Sequence, residues 1–278
     1  MYKLFGIILT VIFLITTLRV EAKISEEQEA FLTPYTKLLS KYVAVQTKNN
    51  IKSTGINYLA WQSDPLHEEA LSNLSKVAIQ DITLKEEKIS FWINVYNFLT
   101  IDLIIKQGEQ KTIHNLGGLV GDPWNEFAWI LDGLEFTLGQ IHHQTLRLIN
   151  EPRVHFTLTC AAVSCPDLKR TPYHTNKIYS QLEKQTKKFL KSKEKGVIII
   201  EPKQGKSKIK KHKIFKISEM FQWFKSDFDG GSVERFISRY IDVDGAKFDG
   251  YIEHDWSLNA LKNKEPKKRE AKKKVSAI

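Results

Sequence analysis

The sequence predicts an α+β fold in which several helices pack on a small, mainly antiparallel sheet within a single domain. Three patterns carry that expectation. Apolar residues recur at helical spacing through the first hundred positions, most densely in Phe91-Trp92-Ile93-Asn94-Val95-Tyr96-Asn97-Phe98-Leu99. Asp132-Gly133, set between apolar runs at 127–131 and 134–136, is a two-residue hairpin signal. Residues 154–160 alternate, with Val154, Phe156, Leu158 and Cys160 on one parity and His155, Thr157 and Thr159 on the other. That is the period of a strand with one apolar face, and it is expected at the centre of the sheet.

Taken in order, residues 1–22 have the organisation of a secretory signal peptide. Lys3 supplies the positive charge, 5–17 form an uncharged apolar run, and Val20-Glu21-Ala22 is a small-x-Ala cleavage pattern. The run is short for a membrane span, which needs about 20 apolar residues. Export to a periplasmic or extracellular space is therefore expected. Residues 23–49 form an amino-terminal helical segment, with Phe31, Leu38 and Leu39 in rough helical register and Pro34 as an early interruption. The main domain is placed at 50–259. It starts with a loop or short strand at 55–61 and a helix over 65–79.

A capping box at Thr83-Leu84-Lys85-Glu86 opens a helix that Gly108 ends. Its centre is apolar nearly all round, so it is expected to be buried. Asn94 and Asn97, three apart, share a face and must be hydrogen-bonded there. They either tie loops to the helix, which is the structural role expected here, or line a site. Residues 114–124 read as a loop. Thr137 and Gln140 form a second capping box, opening a helix that carries His142, His143 and Arg147. Beyond the cysteines, Thr175 caps a helix over 176–191, and strands at 197–201 and 209–217 flank a lysine-rich turn. Gly205-Lys206-Ser207 lacks the earlier glycine of a phosphate loop and is set aside. Ser218 and Ser232 cap short aromatic helices, 248–259 is the last ordered stretch, and 260–278 is expected to be a disordered lysine-rich tail.

The only two cysteines of the 278 residues lie in Cys160-Ala161-Ala162-Val163-Ser164-Cys165-Pro166. Pro166 suits the first position of a helix, which would make Cys165 its N-cap, facing free N–H groups that stabilise a thiolate. Cys160, on the apolar parity, is expected in the core. Three states stay open at this point: a Cys160–Cys165 disulfide, a reactive thiol, and two inert buried thiols.

Several segments together resemble the family catalogued as domain of unknown function 547. They are Phe91-Trp92-Ile93-Asn94-Val95-Tyr96-Asn97, Ile141-His142-His143 leading to Leu146-Arg147, Pro152-Arg153-Val154-His155-Phe156, the cysteine segment, residues 217–228, and Asp255-Trp256-Ser257-Leu258-Asn259. They span about 50–259. The chain departs from the family's pattern at His142, where an acidic residue usually stands, and at His254, where a tyrosine usually does. The resemblance implies no established reaction.

The sharpest enzymatic reading is thiol-dependent hydrolysis or acyl transfer, which needs a thiolate, a base and a group to orient the base. Cys165 is the candidate nucleophile, His143 the preferred base and His155 the second choice. Asn94, Asn97 or Asp255 would orient the base or stabilise an oxyanion. A metal reading gathers His143, His155, Cys160 and Cys165, a donor set that suits zinc, but the cysteine spacing is wider than usual, so no cofactor is expected. The non-enzymatic alternative is a secreted binding or scaffold protein with a closed disulfide. The formal net charge of +10 is concentrated in 184–213 and 262–274. Such a surface can meet an anionic polymer or membrane headgroups. A nucleic-acid partner is not expected, because aromatic residues do not interleave with the lysines.

Overall fold

A computed structural model describes residues 24–118, 121–202 and 212–261. The segment expected as a signal peptide, the expected tail beyond Leu261 and the Gly205-Lys206-Ser207 stretch lie outside these, while Ala260 and Leu261, placed in the tail from the sequence, pair with Ile56. Chain order is α1 (Glu26–Tyr42), β1 (Val43–Lys48), β2 (Ile51–Ile56), α2 (Tyr58–Gln62), α3 (Leu66–Leu74), α4 (Lys85–Gln107), α5 (Pro123–Glu126), β3 (Ala128–Leu131) and β4 (Leu134–Thr137). There follow α6 (Ile178–Leu190), β5 (Val197–Ile200), β6 (Ile214–Ser218), α7 (Met220–Trp223), α8 (Val233–Ser238) and β7 (Lys247–Ile252). The fold is α+β.

The helix α4 is its axis. Every residue from Ile89 to Ile105 is buried, and Gly108 closes the helix in the left-handed conformation. The cap lies one residue later than expected, with Glu87 accepting from the Leu84 N–H. Against α4 pack α1, α2 and α3, with Phe98 edge-on to both Phe31 and Tyr35. Ser25 caps α1 as its side chain promises. Pro34 does not break that helix. Its missing N–H would strand the Ala30 carbonyl, which instead accepts from Asn73 Nδ2 on α3 at 2.9 Å.

The strands make three small sheets instead of one. β1 pairs antiparallel with β2, β3 with β4, and β5 with β6, while β7 adds parallel to β6. Asp132 and Gly133 both take positive φ at the β3–β4 turn, as a two-residue hairpin requires. The segment expected as a loop or short strand at 55–61 is the end of β2 followed by α2. The expected central strand at 154–160 does not form. Pro152–Phe156 is a 3₁₀ helix instead, capped by the Glu151 side chain, which accepts from Arg153 N and pairs with its guanidinium. The alternation there is one of residue type and not of burial: Val154, His155, Phe156, Thr157, Leu158 and Thr159 are all buried. Phe156 joins a second aromatic cluster with Phe221, Phe228 and Phe236.

A buried polar knot joins α3, α4 and β3. The Asp102 carboxylate, with no exposed surface, accepts from His67 Nε2 at 2.8 Å and Trp129 Nε1 at 2.6 Å, and pairs with Lys106 at 3.0 Å. Trp61 Nε1 donates to His67 Nδ1. Burial alone would raise the Asp102 pKa, but these donors hold it below the carboxylate range. Removing the carboxylate leaves the buried His67 and Trp129 donors facing an apolar core, while Lys106 turns to solvent. We therefore expect Asp102→Ala to cost ~3–5 kcal/mol in urea unfolding. A loss below about 1 kcal/mol would show that the knot does not hold these elements together.

Candidate functional site

Three elements carry the side chains that converge on a cavity of about 300 Å³. The first follows β4. Thr137 and Gln140 close the expected capping box reciprocally, at 2.8 and 3.0 Å. The helix they open is a π-helix over Gln140–Leu146, continued by a 3₁₀ turn at Arg147–Ile149. It sets His142 and His143 into the cavity wall. The second is the 3₁₀ helix that carries His155. The third runs from α7 to Trp256 and supplies Trp223, Phe224 and Trp256.

The asparagines of α4 set the floor. Asn97 donates to the Thr157 carbonyl and accepts from Thr159 N at 2.7 Å, while Asn94 makes the same pair of bonds with Tyr173. Neither amide lines the cavity. They hold the chain on both sides of the cysteine segment.

That segment is a tight turn with no helix after Pro166, so Cys165 is not an N-cap. Cys165 N donates to the Ala162 carbonyl, and Ala162 N donates back to Cys165 Sγ. Ala161 takes a positive φ, and residues 255–259 fix the turn through Val163 N to Ser257 O, Ser164 N to Asp255 O and Asn259 N to Ala161 O. The expected exposures are reversed. Cys165 is 2% exposed, whereas Cys160 is half-buried and lines the cavity. The two form a disulfide, with Cα atoms 5.6 Å apart. Asp255 lies away from the cavity and accepts from Asn49 and from Ser257 N.

Hydrogen-bond partners fix the histidine tautomers. Arg147 grips Asp227 bidentately at 2.6 and 2.7 Å, and His155 Nε2 lies 2.9 Å from the same carboxylate. Burial opposes the charge on Asp227, but these donors hold it far below the carboxylate range. His155 therefore carries its hydrogen on Nε2. Burial lowers the His155 pKa against the pull of Asp227, so neutral His155 presents Nδ1 as an acceptor. His142 Nε2, 3.2 Å away, is then the donor. This leaves the His142 Nδ1 lone pair free, with no hydrogen-bond partner among the described residues. Burial first, then the neighbouring charges of His155, His143 and Arg147, keep His142 well below its ordinary pKa. His143 is the reverse case. Its Nδ1 faces Arg147 Nη1 at 3.1 Å, and a guanidinium only donates, so His143 carries its hydrogen on Nε2. Burial and Arg147 keep it neutral. In this state His143 is a donor, and the basic nitrogen belongs to His142.

Aromatic rings enclose the cluster. Phe224 stacks on His155 at 4.4 Å, and Trp223 stacks on Trp256 at 5.5 Å. His254 packs on Trp256, with Nε2 3.8 Å from Cys160 Sγ, and burial lowers its pKa to about 4. The ligand atoms of Cys160, Cys165 and His254 fall within 4.8 Å of one another, a set zinc accepts only with the sulfurs reduced. His143 and His155, named with those cysteines as a metal set from the sequence, instead pair with Arg147 and Asp227. The sequence reasoning thus reached His143, His155 and both cysteines, but missed Asp227, His254 and the role of His142. The available signals were the departures at 142 and 254 and the presence of Asp227 in the 217–228 segment.

Residues 79–190 match the family described as "Protein of unknown function, DUF547". The resemblance to that family thus holds over a stretch that contains α4, the four histidines lining the cavity (His114, His142, His143 and His155) and both cysteines. Residues 217–228 and 255–259 fall outside the match. No curated protein and no solved structure matches the chain.

The depressed histidines tie stability to pH. Between the folded and the ordinary value of 6.5, the unfolded chain binds more protons than the folded one, so stability is complete above about pH 6.5 and is lost as pH falls. For His254 the loss runs from 6.5 down to about 4. We expect the melting temperature to drop between pH 7 and pH 5, and ¹⁵N-edited spectra at pH 7 to show the Nε2–H tautomer for His142, His143 and His155. An Nδ1–H signal from His142 would remove it as the basic nitrogen.

Proposed function

We propose that the histidine-lined cavity carries thiol-dependent hydrolysis or acyl transfer, with Cys160 of the reduced protein as its nucleophile in place of Cys165. The observation that supports this reading most is that the Cys160 sulfur shares one cavity with His142, His143 and His155, whereas Cys165 is buried behind it. A dithiol supplies the two electrons that open the disulfide and leaves as its own disulfide. His254 Nε2 takes the Cys160 proton only as the sulfur attacks an acyl carbonyl, because an imidazole with a pKa of about 4 does not hold that proton in the resting site. His143 Nε2–H stabilises the oxyanion. The leaving group departs with the proton from His254, His142 Nδ1 deprotonates the water that cleaves the thioester, and that proton then passes to the departing Cys160 sulfur, which restores the thiol and neutral His142. His155 and Asp227 orient His142 and stabilise the charge it gains. The tryptophan and phenylalanine rings favour a substrate with an apolar or aromatic body.

The closed disulfide favours a second reading, in which an exported protein binds a ligand in this cavity without turning it over. Export, expected from residues 1–22, belongs to both readings, since an oxidising compartment keeps the bond closed.

Hydrolysis of fluorogenic esters, thioesters and amides, with and without a dithiol, separates the readings. We expect turnover only after reduction, loss of it in Cys160→Ser, and turnover without reductant in Cys165→Ser, which has no bond to open. His142→Ala should slow the reaction by about 10²–10⁴-fold. Turnover by Cys160→Ser would sink the thiol mechanism. Saturable binding without turnover in Cys165→Ser would support the second reading.

A further inference from the structure

A second cavity, of about 460 Å³, shares no lining residue with the first. It lies between β2, the end of α6 and the turn before β5. Its charge is unbalanced: Lys52, Lys188, Lys191 and Lys195 face Asp167 and Glu194. Asp167 is already engaged twice, by Lys195 at 2.6 Å and Lys188 at 2.9 Å, and also accepts from Thr54 N. Lys52 and Lys191 make no ion pair among the described residues.

Two buried groups make this more than a basic surface. Lys195 is 3% exposed, although an ammonium is costly to desolvate. Its Nζ donates to the Cys165 carbonyl and to Asp167, leaving its third hydrogen without a partner among the described residues. Ser53 is 2% exposed, lines the same cavity, and its Oγ has no hydrogen-bond partner. A buried hydroxyl and a buried ammonium with spare hydrogen-bonding capacity, flanked by two unpaired lysines, form a cradle that lacks an acceptor-rich anion.

We propose that this cavity binds a tetrahedral oxyanion, a phosphate or sulfate group borne on a small organic body or a chain end. The ammonium groups of Lys52, Lys191 and Lys195 and the Ser53 hydroxyl hold its oxygens. The volume is in the range of pockets that take whole small molecules, so the group need not be a free ion.

Calorimetric titration of the full chain with inorganic phosphate, a sugar monophosphate and dextran sulfate tests this and identifies the source. We expect saturable binding that weakens with added KCl, and tightest for the probe whose body fills the cavity. Lys52→Ala/Lys191→Ala, both at exposed positions, should weaken that binding by about tenfold or more and leave the melting temperature unchanged. Ser53→Ala should weaken it by a smaller factor. Failure of all three probes to bind would overturn the site. So would binding of equal strength in the double variant, which would assign the affinity to lysines elsewhere in the chain. Hydrolysis in the histidine cavity is a separate readout and does not bear on this result.

Discussion

A helix buried on every face cannot leave its polar side chains to water. Asn94 and Asn97 sit in the middle of α4, and each spends its amide as one donor and one acceptor on the backbone of another segment. Their desolvation is offset only while those segments stay where they are. The cysteine turn, the 3₁₀ helix before it and the approach to α6 are thereby referenced to the core, although none of them has the ladder of a sheet. This explains how an irregular stretch can present a sulfur at a fixed place, and residues 255–259 add bonds to it through Val163, Ser164 and Asn259.

Electrostatics in the cavity work in series. Asp227 stays charged because Arg147 and His155 both donate to it, against the cost of burial. That charge fixes His155, which fixes His142, so the carboxylate acts on the cavity through two imidazoles without lining it. Arg147 serves twice, as the clamp on Asp227 and as the donor that sets the tautomer of His143. Adjacent histidines thus acquire opposite characters, one a donor and one an acceptor, from a single guanidinium.

Local chemistry was legible and long-range pairing was not. Gly108, Asp132-Gly133 and the Thr137–Gln140 box all do what their residues dictate, because capping and turns involve atoms three or four residues apart. The need of the two asparagines for partners was legible for a different reason, since burial of an amide demands partners whatever they are, but the partners themselves lie 60 to 79 positions away. The strand at 154–160 misled because alternation of residue type does not reveal that both faces are covered. His155 and Thr157, placed on the polar parity, are buried as deeply as Val154 and Phe156, and Glu151 with Arg153 supplies a helical cap. Asp227 lies 72 positions from His155 and carries no local mark of its role.

The reversal of the two cysteines follows from the same limit. Parity counted along an imagined strand put Cys160 inside and Cys165 at a helix start. In a tight turn, side-chain direction is set by the turn's own hydrogen bonds. The Ala162 N–H turned toward Cys165 Sγ draws that sulfur inward, and Lys195 closes over the Cys165 carbonyl. Cys160, one residue before the positive φ of Ala161, is left facing the imidazoles. The buried partner has no path to a substrate while the outer one does, so opening the bond exposes a single thiol to the cavity. The disulfide therefore sits between the site and its most nucleophilic group. On the function proposed above, the same aromatic pocket binds while the Cys160–Cys165 bond is closed and reacts once it is opened.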